Sequence, residues 1–501
     1  MREVAPELFI NGRFRPARSV EPVIEAATEQ LLGNGPSAAV GDVDDAVAAA
    51  QHALPEWKRT PAVDRAAFLE RFADALAKRA EQTQELCTRE TGSPAGFSRM
   101  CNFVLPLLVL RYYAELICRT ESEEIRAGES GNAIVRREPV GVAGAIVPWN
   151  VPQGLAATKF GPALAAGCTV VLKPAPETAL DARVFGEAAD EAGLPPGVLN
   201  VIPGGDDAGA YLVGHPGVDK VAFTGSTEVG RLVGETCGRL MRPVTLELGG
   251  KCAAILLDDA DLPSTMQGLA ATSFGNNGQM CFATSRVLAP RSRYNEVVEA
   301  LVDLANSLVV GDPLDESVHI GPLVTSRQRE RVLGYIEGGK AEGARLVAGG
   351  GVPAQIPRGW YVAPTVFADV ANSSRIAREE IFGPVVSVMP YDSVGEAVDI
   401  ANDSEYGLAA TVWSSDSSRA TEVARDVRAG SVGINGYQPS VYTPIGGIKA
   451  SGLGRELGPE GLAAYQTVKS IFGDDVPGGP DRRRPDTRSP VVRRSENAAD
   501  Q

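Results

Sequence analysis

The 501 residues are more than one ordinary hydrophobic core organises, so two or more domains are expected. With 44% hydrophobic and 22% charged residues the composition is that of a soluble globular chain. A net charge of −15 excludes a basic nucleic-acid-binding face, and no apolar run reaches the roughly 18 residues of a membrane span.

The start, Met1 to Glu7, lacks the basic-then-apolar layout of a secretory signal. Seven cysteines, scattered singly, offer no disulfide framework, and the cytoplasm is the expected compartment. The three histidines, His52, His215 and His319, stand far apart without Cys-x-x-Cys partners, so no metal site is expected. Residues 43–92 read as helical: Val43, Val47 and Ala50 open an apolar face, and a second helix runs through residues 65–73. Residues 120–140, charged and then β-like, read as a hairpin arm. Short apolar runs follow at 141–147, 169–173, 198–202 and 220–223, with a helix expected over 179–192. Further strands are expected at 253–257, 385–390 and 409–413. Strand and helix alternating at this spacing predict an α/β fold with two parallel sheets covered by helices. Beyond Phe472 the Pro-, Gly- and Arg-rich residues 474–501 read as a disordered tail.

Three stretches carry chemistry. The run Lys220–Phe223 leads into Thr224-Gly225-Ser226-Thr227-Glu228-Val229-Gly230, a small-residue turn opening a helix. Free backbone N–H groups and the helix dipole make such a turn a place for pyrophosphate, although Gly-rich turns without a ligand are common. Lys173 ends its strand where open α/β sheets bind ligands. Taken alone it reads better as a surface lysine. Cys281, in Gly278-Gln279-Met280-Cys281-Phe282-Ala283, and Glu247, in Leu246-Glu247-Leu248-Gly249-Gly250-Lys251, pair a thiol nucleophile with a carboxylate able to activate water. Cysteines are more often small buried hydrophobes, so the combination decides.

These stretches come in order with Pro148-Trp149-Asn150, Lys173-Pro174, Glu380-Ile381-Phe382-Gly383-Pro384 and Pro444-Ile445-Gly446-Gly447-Ile448-Lys449. Together they resemble the aldehyde dehydrogenase superfamily, from Leu8 to about Phe472. The resemblance implies a Rossmann-like cofactor domain (1–119 and 141–251), a second α/β catalytic domain (252–450), and oligomerisation or bridging segments at 120–140 and 451–473. It implies an NAD(P)-dependent enzyme in which Cys281 attacks the aldehyde, Asn150 with the Cys281 N–H holds the oxyanion, and Glu247 activates water. Cofactor contacts are implied for Ile146, Pro148, Trp149, Lys173, Glu177, Gly225, Ser226, Gly230, Leu248, Gly249, Glu380 and Phe382. One departure stands out. Many NAD-preferring relatives carry an acid three positions after the lysine, where this chain has Pro176, with Glu177 next. NAD is expected, and NADP stays open.

The implied substrate tunnel is lined by Val151, Thr158, Met280, Phe282 and Ile445, with Tyr437 and Tyr442 as further aromatics. None of the first five is cationic, and Val151, Thr158 and Ile445 are not aromatic. An aromatic cage for a quaternary ammonium is therefore disfavoured, and an uncharged hydrophobic or aromatic aldehyde is expected. The alternatives are a CoA-acylating relative, which usually lacks the residue at Glu247, and a non-catalytic protein keeping the fold. Thiol-esterase activity would be a side reaction. A homodimer or homotetramer is implied, with no nucleic-acid or membrane partner.

Overall fold

All seven runs expected as strands form strands, and most of their residues are buried, which explains why they read as continuous apolar segments. The computed structural model describes residues 6–128 and 131–473, so the expected tail at 474–501 lies outside the described residues. Contacts divide the chain into a large unit, Met1–Thr120 with Pro139–Gln466, and a small one, Glu121–Glu138 with the segment from Thr467 onward.

The large unit contains two α/β sheets. In the first, the parallel strands Val142–Ile146, Thr169–Lys173, Leu199–Val201, Lys220–Thr224 and Val244–Glu247, numbered along the chain, lie in the order 3-2-1-4-5. The direction of winding therefore reverses between Val142–Ile146 and Lys220–Thr224, opening a crevice at their carboxyl ends. Antiparallel strands close both edges: Gly452–Leu453 on Val244–Glu247, and the hairpin Glu7–Ile10/Arg13–Pro16 on Leu199–Val201. The second sheet runs Arg345–Ala348, Thr365–Ala368, Val385–Tyr391, Arg286–Pro290, Ala253–Leu256, Ala409–Trp413, Ser431–Ile434. All its pairings are parallel except the first.

The helical run expected over 43–92 divides into Val40–Trp57, Ala62–Ala77 and Ala80–Thr91, with Val43, Val47 and Ala50 fully buried. The helix expected from residue 179 starts later, as Arg183–Glu191. The reason is a contact with a distant segment: the backbone N–H groups of Leu180 and Asp181 are donated to the Glu90 carboxylate at 2.8 and 3.3 Å instead of entering a helix.

Helix Pro152–Ala166 is almost wholly buried between the first sheet and Leu105–Arg119, which is preceded by a π-helical turn at Arg99–Val104. Gly154 allows that close approach, since a Cβ there would stand 2.4 Å from the Cys101 carbonyl oxygen. Residues 95–119 are, among the described residues, the one helical run with the length and apolar content of a membrane span. Val109, Leu110, Tyr113, Ala114 and Ile117 of that run pack into the protein core.

In the small unit, Glu123–Gly128 and Gly131–Pro139 form a hairpin with Ile125 opposite Ile134. Gln466–Phe472 lies on the other side of Gly131–Pro139, and Lys469 Nζ meets Glu138 Oε2 at 2.6 Å. Val468, Ile471 and Phe472 on that outer strand are exposed.

Candidate active site

The strands of the first sheet end facing segments that lead into the second. Glu247 is the last residue of Val244–Glu247, Asn150 follows Val142–Ile146, and Cys281 lies in the turn before Arg286–Pro290. That turn has an unusual backbone. Asn276, Asn277 and Gly278 all have left-handed φ values, of 50°, 60° and 72°. Asparagine tolerates this region better than most residues, and glycine tolerates it freely. Remote contacts hold the segment: Asn277 Nδ2 donates to the carbonyls of Gly92 and Pro322 at 2.9 and 2.8 Å, and its Oδ1 accepts from Gly321 N at 2.7 Å. A Cβ at Gly278 would fall 2.2 Å from the Gly383 carbonyl, so the cysteine turn is pressed against the Glu380–Pro384 segment.

Asn150 Nδ2 donates to Gln279 O at 2.9 Å, and Asn276 Nδ2 donates to Asn150 O at 2.9 Å. The first bond uses one of the two amide hydrogens of Asn150 and fixes the direction of the other. Cys281 is half-buried, and its thiol is pushed well above its ordinary range by burial, then by Glu380 and Glu247. It is therefore held as the neutral thiol until something takes its proton or screens those carboxylates. Glu247 is buried, and its Oε1 has no hydrogen-bond partner. Burial and the neighbouring Glu456 push its carboxyl well above the ordinary range, against the opposing pull of Lys159 and Arg455. A raised carboxyl with a free oxygen is suited to exchanging a proton with water.

Beneath Glu247 lies a cluster that motif reading missed. Lys159 Nζ donates to Glu456 Oε1 and to Thr224 Oγ1, both at 2.6 Å, and all three side chains are buried. The signal was a lone cation inside the otherwise apolar segment 152–166, because lysine is almost never fully buried without a partner. Nothing in the sequence near Glu456 pointed to its counterpart.

Most of the expected cofactor residues lie at or just after the carboxyl ends of the first sheet's strands, while Glu380 and Phe382 come from the segment before Val385–Tyr391 of the second. Ser226 caps helix Thr227–Arg239, accepting from Val229 N at 3.3 Å, and Gly225 N donates to Glu247 O at 3.1 Å. Gly230 packs on Leu248, where a Cβ would lie 2.3 Å from a leucine methyl. Lys173, at its strand's end, donates to Gly204 O at 2.5 Å and is held down to about 8 by burial, although Glu177 and Asp206 oppose this. Half-buried Glu177 sits within the electrostatic reach of that ammonium, and burial raises its carboxyl. Glu380 accepts from Gly250 N at 2.9 Å and is pushed up to about 7 by burial. Gly249 keeps the chain open beside it, since a Cβ there would lie 2.5 Å from Glu380 Oε2. Phe382, a bulky residue at φ 62°, sets its ring edge-on to Trp149 at 5.4 Å. Ile146 is buried at the end of its strand, and Pro148 is half-buried beside Trp149. An open helix N-terminus and a lysine at strand ends on either side of Val142–Ile146, with carboxylates further along, form a set of groups that fits a dinucleotide.

Among the tunnel candidates, Val151 and Met280 are buried, while Phe282 and Ile445 are half-buried. The Phe282 ring lies 5.0 Å from that of Tyr437, whose hydroxyl meets Ser431 Oγ at 2.8 Å. Tyr442 is 63% exposed and packs edge-on against Tyr112. Thr158 is only 2% exposed, and its hydroxyl lies 2.9 Å from Glu456 Oε2.

The aldehyde dehydrogenase family model matches residues 14–471. Geranial dehydrogenase of Castellaniella defragrans is 50% identical over 470 residues, covering 93% of this chain and 98% of that protein. Among solved structures, a Mycobacterium tuberculosis aldehyde dehydrogenase complexed with NAD+ aligns with a TM-score of 0.91 at 45% identity, covering 93% and 98% of the two chains. A mutant indole-3-acetaldehyde dehydrogenase of P. syringae, in complex with NAD+ and IAA, aligns at 0.90 and 39% identity, covering 93% and 96%.

Proposed function

Because the chain belongs to the aldehyde dehydrogenase family, we propose that it oxidises an uncharged hydrophobic or aromatic aldehyde to the free carboxylic acid, with NAD+ as acceptor. The observation that carries this reading is the closeness of three groups: Cys281 lies within the electrostatic reach of Glu247, and Asn150 bonds the Gln279 carbonyl two residues before the cysteine. The Cys281 proton passes to solvent by way of Glu247 as the sulfur bonds to the carbonyl carbon, whose oxygen becomes negative. The free Asn150 amide hydrogen and the Cys281 N–H face that oxygen; a preorganised donor of this kind contributes ~3–4 kcal/mol. NAD+ bound in the crevice supplies the hydride acceptor. The thioester left on Cys281 is attacked by a water whose proton goes to Glu247, and the thiol leaves as the acid forms.

Residues 1–119 and 141–251 serve as the cofactor part, and 252–450 as the catalytic part. Lys173 holds the adenosine ribose, Ser226 the pyrophosphate and Glu380 the nicotinamide ribose. The apolar side chains of Val151, Met280, Phe282 and Ile445 support the substrate class, as does the geranial oxidised by the Castellaniella relative. Gln466–Phe472, an outer strand with apolar side chains exposed, is the surface on which a second copy adds. All seven cysteines are unpaired, in keeping with a reducing cytoplasm.

The test is a screen of purified enzyme with terpenoid, aliphatic, aryl and quaternary-ammonium aldehydes, against NAD+ and NADP+, with and without coenzyme A. NADH formation on apolar aldehydes without coenzyme A is expected. A requirement for coenzyme A, or preference for betaine aldehyde, would overturn the reading.

A further inference from the structure

Thr158 was expected on the tunnel wall, yet almost none of its surface is open. Its single O–H has two acceptors in range: the Leu155 carbonyl at 3.0 Å, one turn back in its own helix, and Glu456 Oε2 at 2.9 Å. Glu456 is ion-paired with Lys159, and a charged carboxylate is the stronger acceptor, so the proton points to it. The two oxygens of Glu456 are thus held by neighbouring residues of one helix: Oε1 by the Lys159 ammonium and Oε2 by the Thr158 hydroxyl.

We propose that Thr158 is a positioning residue for thioester hydrolysis: by donating to Glu456 it fixes that carboxylate beside Glu247 and sets the pH at which Glu247 becomes a base. This rests on the reading of Glu247 as the base. A negative Glu456 held close makes Glu247 keep its proton. Without the hydroxyl, Glu456 Oε2 loses the donor that holds it in place, the carboxylate is free to turn away, and Glu247 ionises at lower pH. Several other groups face the pair. Around Glu247 these are Lys159, Arg455, Cys281 and Tyr437; around Glu456 they are Lys159, Lys220, Tyr113 and Tyr465. None of these donates a hydrogen bond to Glu456 Oε2, and that contact is what Thr158 adds.

The experiment compares parent, Thr158→Val and Thr158→Ser by the pH dependence of the steady phase that follows an NADH burst, where hydrolysis limits turnover. Valine keeps the shape and removes the donor, whereas serine keeps the donor and removes a methyl group. The expected result is a rising limb moved toward acid by about half to one pH unit in the valine variant and restored in the serine variant. Should valine fail to fold, Thr158→Ala gives the same deletion. An unmoved limb, or a change confined to KM, would overturn the proposal and leave Thr158 as a packing residue alone. Glu247→Gln separates the two readings: if it keeps the parent's limb, the base assignment fails, whatever Thr158 does.

Discussion

Two clusters of buried carboxyl groups stand in the large unit and differ in one component. Glu247 and Glu456 share their surroundings with the Lys159 ammonium, which donates directly to Glu456. Glu90 and Asp181 are as deeply buried, but have only neutral donors: the N–H groups of Leu180 and Asp181, and Gln153 Nε2 at 2.7 Å from Asp181. Burial, reinforced by Asp181, pushes Glu90 well above its ordinary range, while burial raises Asp181 to about 7, against the pull of Gln153 and Cys87. Glu456 meets a cation directly, whereas Glu247, Glu90 and Asp181 do not, and burial pushes all three of these carboxyls up. The first arrangement neighbours the Cys281 thiol. The second ties helix Ala80–Thr91 to the segment before Arg183 and holds the fold.

Substitutions on each side would sharpen or break this contrast. Cys281→Ala should have the largest effect, with no aldehyde-dependent NADH at all. Turnover in that variant would mean the carboxyl cluster serves some other nucleophile. Glu247→Gln comes next: acylation survives as a burst of NADH, and the steady rate falls by roughly 10²–10⁴, the usual worth of a general base. A steady rate equal to the parent's at neutral pH would remove Glu247 from that role.

Asp181→Asn should change activity least and show itself in stability. The folded chain holds the Asp181 proton to about pH 7, against an ordinary 3.8. The stabilisation from that proton is complete below 3.8 and lost as pH rises through 7. Between those values the parent's stability should fall with pH by up to about 1.4 kcal/mol per unit more than the variant's. Chemical denaturation at several pH values measures the slopes, and parallel slopes would place the raised carboxyl elsewhere.

The active-site contrast was only half legible in the sequence. Cys281, Glu247 and Asn150 stood in motifs because each needs a particular local backbone, and local backbone is written in adjacent residues. The seven strands were legible for a similar reason, being buried on both faces and so continuously apolar. Lys159 was overlooked because it is polar within an apolar helix, and Glu456 because its partner lies 297 residues away. Thr158 was read as tunnel lining, and the direction of its hydroxyl depends on Glu456. The late start of Arg183–Glu191 depends likewise on Glu90, some 90 residues earlier. Side-chain bonds between distant segments leave no periodicity to read.

The left-handed segment before the nucleophile ties local chemistry to distant loops. Asn277 grips Gly92, 185 residues upstream, and Pro322, 45 residues downstream, so the sulfur is located by three parts of the chain at once. Loosening either outlying loop shifts the reacting atom while both sheets remain intact. Heat or mild denaturant should therefore silence the enzyme before it unfolds, with lost activity preceding lost secondary structure.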